Sequence, residues 1–149
     1  MANLLENRKA KFSYELMEQF EAGIELLGNE VKSIKNRRGN LLGSYVAIRG
    51  NEAFLIGAEV PAYQPKNVGE NYEPKRPRKL LLKRREILKL TEYDNEKGLT
   101  LIPIAMYNKG RNIKLSFVVA RGKKFRDKRE TIKRREADRE MHRSLKKLR

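Results

Sequence analysis

Apolar side chains in this chain recur at every second position, and that rhythm limits what it can fold into. Phe20, Ala22, Ile24 and Leu26 alternate with Glu21, Gly23 and Glu25. Phe12, Tyr14 and Leu16 alternate with Lys11, Ser13 and Glu15, and Ile113, Leu115, Phe117 and Val119 repeat the pattern. Successive side chains of a strand point to opposite faces, so a period of two predicts strands with one buried face. Tyr45–Arg49 and Glu52–Val60 add two strand-like runs joined at Gly50-Asn51, a dipeptide that signals a hairpin. Leu99–Tyr107 and Asn112–Val119 form a second hairpin across Asn108–Arg111, with Pro103 marking an edge or a bulge.

Two segments break the rhythm. Gly28-Asn29 ends a strand, Asn29 is a good N-cap, and Val31 and Ile34 then fall at helical spacing. They predict a short helix over Glu30–Lys35. Lys79–Glu96 reads as the main helix: Leu80/Ile87 and Leu81/Leu88 are seven apart, Leu90 extends the apolar face, and Gly98 is the stop. Between them Pro61–Arg78 holds four of the five prolines. Loops longer than about 12–15 residues are usually functional or mobile. The expected fold is mainly β with α (α+β). It is a small antiparallel β-barrel of about six strands with peripheral helices and a basic C-terminal tail.

Charge divides the chain. Its 149 residues carry 35 Lys and Arg against 19 Asp and Glu, a net charge of +16. Residues 121–149 hold 14 of those cations and 5 of the acids, a net +9. The expected organisation is therefore a body over 1–120 and a basic tail over 121–149. Like charges at this density keep a free tail largely unfolded. Ala137, Met141, Leu145 and Leu148 still mark one face of a helix, and Glu130/Arg134 have i,i+4 pairing geometry. The partner expected for such a charge is a polyanion, most often nucleic acid.

The same composition excludes other classes. There is no Cys, which removes disulfide scaffolds, thiol nucleophiles and thiolate metal sites. The single His142 removes multi-histidine metal sites and argues against a Ser-His-Asp triad. No apolar run approaches the roughly 18 residues of a membrane span. The first residues lack the order of a signal peptide, so the expected compartment is the cytoplasm. No phosphate-cradling loop appears. The densest acidic group, Glu92, Asp94 and Glu96, falls at a helix end, so an enzyme is not expected.

Three segments, taken in order, carry a resemblance. They are Phe20-Glu21-Ala22-Gly23-Ile24-Glu25-Leu26-Leu27-Gly28-Asn29-Glu30-Val31-Lys32-Ser33, Arg78-Lys79-Leu80-Leu81-Leu82-Lys83-Arg84-Arg85-Glu86-Ile87, and Ala120-Arg121-Gly122-Lys123-Lys124-Phe125-Arg126-Asp127-Lys128-Arg129. Together they resemble the bacterial small protein B (SmpB) family, over nearly the whole chain. The resemblance implies an oligonucleotide-binding-type barrel with a non-enzymatic role and no cofactor. It implies binding to the tRNA-like domain of tmRNA and its delivery to ribosomes stalled on truncated messages. It places the tail, helical when bound, in the empty mRNA channel near the decoding centre of the small subunit. Elongation factor Tu enters as a partner through alanylated tmRNA; no membrane or DNA partner is implied.

The resemblance also assigns residues. Glu30, Lys32, Lys35, Arg37, Arg38, Arg78, Lys79, Leu81, Lys83 and Arg84 are the expected tmRNA contacts. Arg121, Gly122, Lys123, Lys124, Arg126, Asp127, Lys128, Arg129, Ile132, Lys133, Arg134 and Met141 are the expected ribosome-facing tail. Read without the family, Glu30 is a favourable charge in the first turn of a helix and the lysines an ordinary solvated face. Lys83 stands where many members carry His or Asn, and Arg126 where some carry His. The competing reading is a structural ribosomal protein that binds ribosomal RNA, also small, basic and tailed.

Overall fold

The computed structural model describes residues 2–64 and 71–122. Seven strands among them pair in antiparallel fashion. In chain order the elements are β1 (Asn3–Glu6), α1 (Ala10–Ser13), β2 (Tyr14–Ile24), α2 (Gly28–Lys35), β3 (Tyr45–Arg49), β4 (Glu52–Ile56), β5 (Arg78–Leu81), α3 (Arg84–Asn95), β6 (Leu99–Lys109) and β7 (Asn112–Gly122). The sheet runs β1-β6-β3-β4-β5-β2-β7, and a further β6–β7 pairing joins its ends into a six-strand ring with β1 outside it. Strand β6 is long enough to pair with β3 at Leu101 and with β1 from Ala105 to Tyr107. Closing a sheet removes the unpaired edges that invite aggregation.

Both expected hairpins are present. Arg49 pairs with Glu52, leaving Gly50-Asn51 as a two-residue turn with Gly50 at φ +62°. Lys109 pairs with Asn112 across Gly110-Arg111, a tighter turn than the four residues expected. The β6–β7 register slips between Pro103 and Ala105, the bulge that Pro103 foreshadowed. The buried Asn7 side chain donates to the Pro103 carbonyl at 3.0 Å, and its backbone N–H to that of Ile104. The bulge thus leaves neither carbonyl bare.

The alternation in β2 and β7 builds the core. Phe20 faces Phe117 across the pair, with ring centroids 5.5 Å apart. Leu115, Val119, Leu55, Leu101 and Met106 fill the space inside the ring. The far half of β7 is buried on both faces, because Val118 and Ala120 join Ala10, Tyr14 and Ile102 in a second cluster outside the ring.

Several expectations are corrected. Phe12 belongs to the one-turn helix α1 and is largely exposed; the strand begins only at Tyr14. The α2 cap is Leu27, and the Asn29 Oδ1 instead accepts the N–H of Gln64. The expected Glu52–Val60 strand stops at Ile56, after which only an Asn40–Glu59 bridge continues it. Lys79–Leu81, expected as the first turn of the main helix, is strand together with Arg78, and the helix starts at Arg84. Strand β7 runs through Arg121 and Gly122, two residues beyond the expected end of the body.

Candidate nucleic-acid interface

Antiparallel pairing of β2 with β5 builds the site. Gly23 faces Leu81 and Ile24 faces Leu80, so the chain leaving β2 turns into α2 beside the start of β5. The Glu25 N–H donates to the Lys79 carbonyl at 2.9 Å and carries the pairing one step further. Glu30 in the first turn of α2 thereby meets Arg78 at the head of β5, 48 residues away.

Glu30 is fully buried and every side of its carboxylate is occupied. Oε1 accepts the Leu27 N–H at 2.8 Å and an N–H of Arg76 Nη2. Oε2 accepts from Arg76 Nε at 2.9 Å, Arg78 Nε at 2.9 Å, Arg78 Nη2 at 2.7 Å and the Tyr72 hydroxyl at 3.0 Å. Arg78 is equally buried. Its remaining donors reach the carbonyls of Ala58, Arg76 and Pro74 at 2.9–3.1 Å. A buried charge is tolerable only when paired and hydrogen-bonded, and this pair satisfies both conditions. Burial pushes the Glu30 carboxyl up, but the Arg76 hydrogen bonds, the Leu27 N–H and the Arg78 charge outweigh it and hold it below the usual carboxylate value. Burial, then the Glu30 carboxylate, raises the Tyr72 phenol.

Further bonds tie α2 to its surroundings. The Ser33 hydroxyl donates to the Pro61 carbonyl. Arg37 sits at φ +59°, and its Nη1 donates to the Asn3 carbonyl at 2.8 Å. Lys32, Lys35, Arg37 and Arg38, four of the residues expected to meet RNA, are exposed at this end.

On β5 the side chains split. Leu80 is buried in the core and Leu82 packs against it, whereas Leu81 stays 52% exposed. An open groove of about 590 Å³ runs past it, its charged lining made of Lys79, Lys83 and Lys114 together with Glu21, Glu52 and Glu86. A second depression shares Gly23, Leu81 and Lys114 and adds Arg111. Gly23 lets these surfaces close up, since a Cβ there would stand 3.3 Å from the Leu81 Cβ. Lys79 also faces Glu52 at 3.7 Å. Lys83 is the exposed cap residue of α3, its N–H donating to Glu86 Oε1 at 3.0 Å, and Arg84 follows it, also exposed. An exposed apolar side chain with lysines within its groove suits a polyanion with unstacked bases, the lysines meeting phosphates and the leucine a base face.

Two of the ten residues expected at the RNA interface are buried in this structure. Glu30 and Arg78 present no surface, because each spends its hydrogen bonds on the other and on the 72–77 segment. The sequence reading missed Tyr72 and Arg76 as members of this cluster, and Arg111 and Lys114 as walls of the groove. Only the groove pair had a sequence signal, the turn of the second hairpin. Of the tail residues, Arg121 and Gly122 lie in β7, with Arg121 at 4.0 Å from Glu96 and Gly122 paired to Tyr14. The other tail assignments, Lys123, Lys124, Arg126, Asp127, Lys128, Arg129, Ile132, Lys133, Arg134 and Met141, lie outside the described residues. Glu92 and Asp94 close α3, and no acidic or histidine cluster among the described residues could hold a metal. No described helix is long and apolar enough to cross a membrane.

Comparison with known proteins agrees with this geometry. The profile described as SmpB protein matches residues 4–147. An SsrA-binding protein of Gloeothece citriformis is 49% identical over 143 residues, covering 96% of this chain and 92% of the relative. One from Chloroflexus aggregans is 47% identical over 146 residues, covering 98% and 92%. A solved structure of tmRNA-SmpB, described as a journey to the center of the bacterial ribosome, contains a chain 38% identical to this one with a TM-score of 0.69, covering 95% of each. The profile, the relatives and the ring with its flanking helices coincide over nearly the whole length: the chain belongs to the SmpB family.

Proposed function

We propose that this protein is the tmRNA-binding adaptor of ribosome rescue. It binds the tRNA-like domain of tmRNA and carries it to ribosomes stalled on truncated messages. The observation that carries the reading is the exposed Leu81 with Lys79, Lys83 and Lys114 beside it, in a chain that matches SsrA-binding proteins over nearly its whole length. The family match disfavours a structural ribosomal protein. The family match supports a protein that acts by binding and not as an enzyme, in the cytoplasm where ribosomes work.

A division of labour between body and tail is part of this reading. Lys32, Lys35, Arg37 and Arg38 on the α2 side and Lys79, Lys83 and Arg84 on the β5 side grip phosphates, which position an RNA without reading its sequence. Leu81 packs on an exposed base or sugar face between them. The tail from Lys123 to Arg149 reads the ribosome, its cations on ribosomal RNA along the empty mRNA channel. Elongation factor Tu joins only through the aminoacylated RNA.

A competition titration tests this. Host tmRNA is titrated against excess bulk tRNA at near-physiological salt. Selective retention of tmRNA is expected; equal binding of both RNAs would mean that the charge acts nonspecifically. Removing residues 123–149 should leave tmRNA affinity near that of the full chain and abolish rescue. Loss of RNA binding on truncation overturns the division between body and tail.

A further inference from the structure

The Glu30 cluster joins two pieces of chain that each carry part of the interface. Helix α2 brings Lys32 and Lys35, and β5 brings Lys79 and Leu81. The direct β2–β5 ladder among the described residues is only two pairs long, Gly23 with Leu81 and Ile24 with Leu80. The Glu25 N–H bond to the Lys79 carbonyl extends it by one step, and α2 lies beyond its end. Ile34 packs α2 into the core and Ser33 ties it to Pro61, while its hydrogen-bonded link to β5 is the carboxylate of Glu30, held from the β5 side by Arg78 and from the preceding loop by Tyr72 and Arg76. Arg76 grips both oxygens through Nε and Nη2 while its own side chain stays 30% exposed. Tyr72 reaches Glu30 Oε2 and the Val60 carbonyl, at 3.0 and 2.7 Å.

We propose that Tyr72 and Arg76 are positioning residues for RNA binding. Acting through Glu30, they set the spacing between the α2 cations and the Leu81 groove and touch no RNA themselves. This rests on the RNA-binding reading above. The geometry separates it from a direct contact. Arg76 is committed to Glu30 as a two-pronged fork, which Lys cannot reproduce because its ammonium is a single point of charge. A phosphate contact, by contrast, tolerates Lys.

The test uses the full chain with Tyr72→Phe, Arg76→Lys and Arg76→Met. Affinity for tmRNA is measured across a salt series, beside the melting temperature and the far-ultraviolet circular dichroism of each variant. Arg76→Lys and Arg76→Met should both weaken binding, by about tenfold and to a similar degree. Tyr72→Phe should weaken it severalfold with the salt slope unchanged, because no phosphate contact is removed. If Arg76→Lys binds like the wild type while Arg76→Met loses about one unit of salt slope, Arg76 contacts phosphate directly and the proposal falls. It falls equally if all three variants bind normally and only melt earlier, since the cluster then serves the fold alone. Should either Arg76 variant fail to fold, Tyr72→Phe, which removes one hydroxyl, decides the matter by the same two readouts. Failure of the underlying reading is visible separately, as a wild-type protein that does not prefer tmRNA over tRNA.

Discussion

Replacing Glu30 with Gln should be among the most damaging single changes in the body. The carboxylate accepts from two guanidinium groups, a phenol and a backbone N–H, with none of its surface exposed. An amide of the same shape keeps one acceptor oxygen. With that oxygen in the Oε2 position, its NH2 group confronts the Leu27 N–H and Arg76 Nη2, which are both donors. Arg78 is then left buried without an anion. Removing one partner of a buried pair costs about 3–5 kcal/mol, because the other charge stays uncompensated. In a body of about 120 residues each kcal/mol moves the melting temperature by roughly 3–5 °C, so a fall of about 10–20 °C is expected. Thermal unfolding followed by circular dichroism near neutral pH measures it. Removing both charges with Glu30→Leu and Arg78→Met should cost about 2 kcal/mol less than the sum of the two single changes. The acid limb supplies a second reading. The folded carboxyl titrates below its ordinary value, so its contribution is complete above about pH 4.3 and is lost as pH falls from there through the folded pKa. The wild type should lose stability across that window more steeply than Glu30→Gln. A melting shift under about 3 °C, or strictly additive costs, refutes the argument that this pair is load shared between buried partners.

Three other outcomes are expected. Lys79→Ala and Lys83→Ala should each weaken tmRNA binding and lower its salt slope by about one; an unchanged slope removes that residue from the interface. Burial and the hydrogen bond to Glu21 push the Tyr107 phenol up to about 12. Its contribution to stability is therefore complete below the ordinary tyrosine value of about 10 and is lost as pH rises through about 12, so ultraviolet titration should show a late phenol that Tyr107→Phe removes, beside the raised phenol of Tyr72. Six phenols all ionising together near about 10 would contradict this. Gly39→Ala should destabilise by about 1–3 kcal/mol, read by urea unfolding, since φ is +151° and the new Cβ would stand 2.9 Å from Leu5 Cδ1. Gly50→Ala should cost about 1 kcal/mol, because its φ of +62° is unfavourable but nothing lies within 4 Å of the new Cβ. Equal costs at the two sites would mean that the Leu5 contact relaxes freely.

The strands that alternate cleanly were legible because one face of each meets a continuous core. Phe20, Ala22, Leu115, Phe117 and Val119 are all buried in the same cluster. The two hairpins were legible because their turns need residues tolerant of positive φ, and Gly50 and Gly110 stand there. Residues Lys79–Leu81 of the β5 strand were misread as helix for a physical reason. Leu80-Leu81-Leu82 is a short apolar run, and such a run fits either period. What decided the matter was the neighbouring strands: β4 pairs with Arg78, Lys79 and Leu80, and β2 with Leu80 and Leu81. Phe12 failed in the opposite way. It continued the alternation of Tyr14 and Leu16, but Ala10, two residues earlier, is what the outer cluster buries, and the chain takes a helical turn that leaves Phe12 outside.

Glu30 shows where reading along the chain stops. Its local setting offers only the first turn of a short helix, where a carboxylate is favourable for the dipole and a base contact is open to it. Its partners Arg76 and Arg78 lie 46 and 48 residues away, in the loop and strand that the β2–β5 pairing carries back to α2. No periodic pattern spans that distance. The basic string from Lys75 to Lys79 looked uniform in sequence because charge alone was visible. The fold sorts it: Arg78 faces inward with no exposed surface, Arg76 lies half-buried on Glu30, and Lys75 is exposed. Cations that are identical in a motif thus divide into those that hold the interface in shape and those free to meet a phosphate. Mutating the first kind should change the affinity and the fold together, and mutating the second should change the affinity and its salt dependence alone. That difference in response is the physical content of calling one residue a contact and another a support.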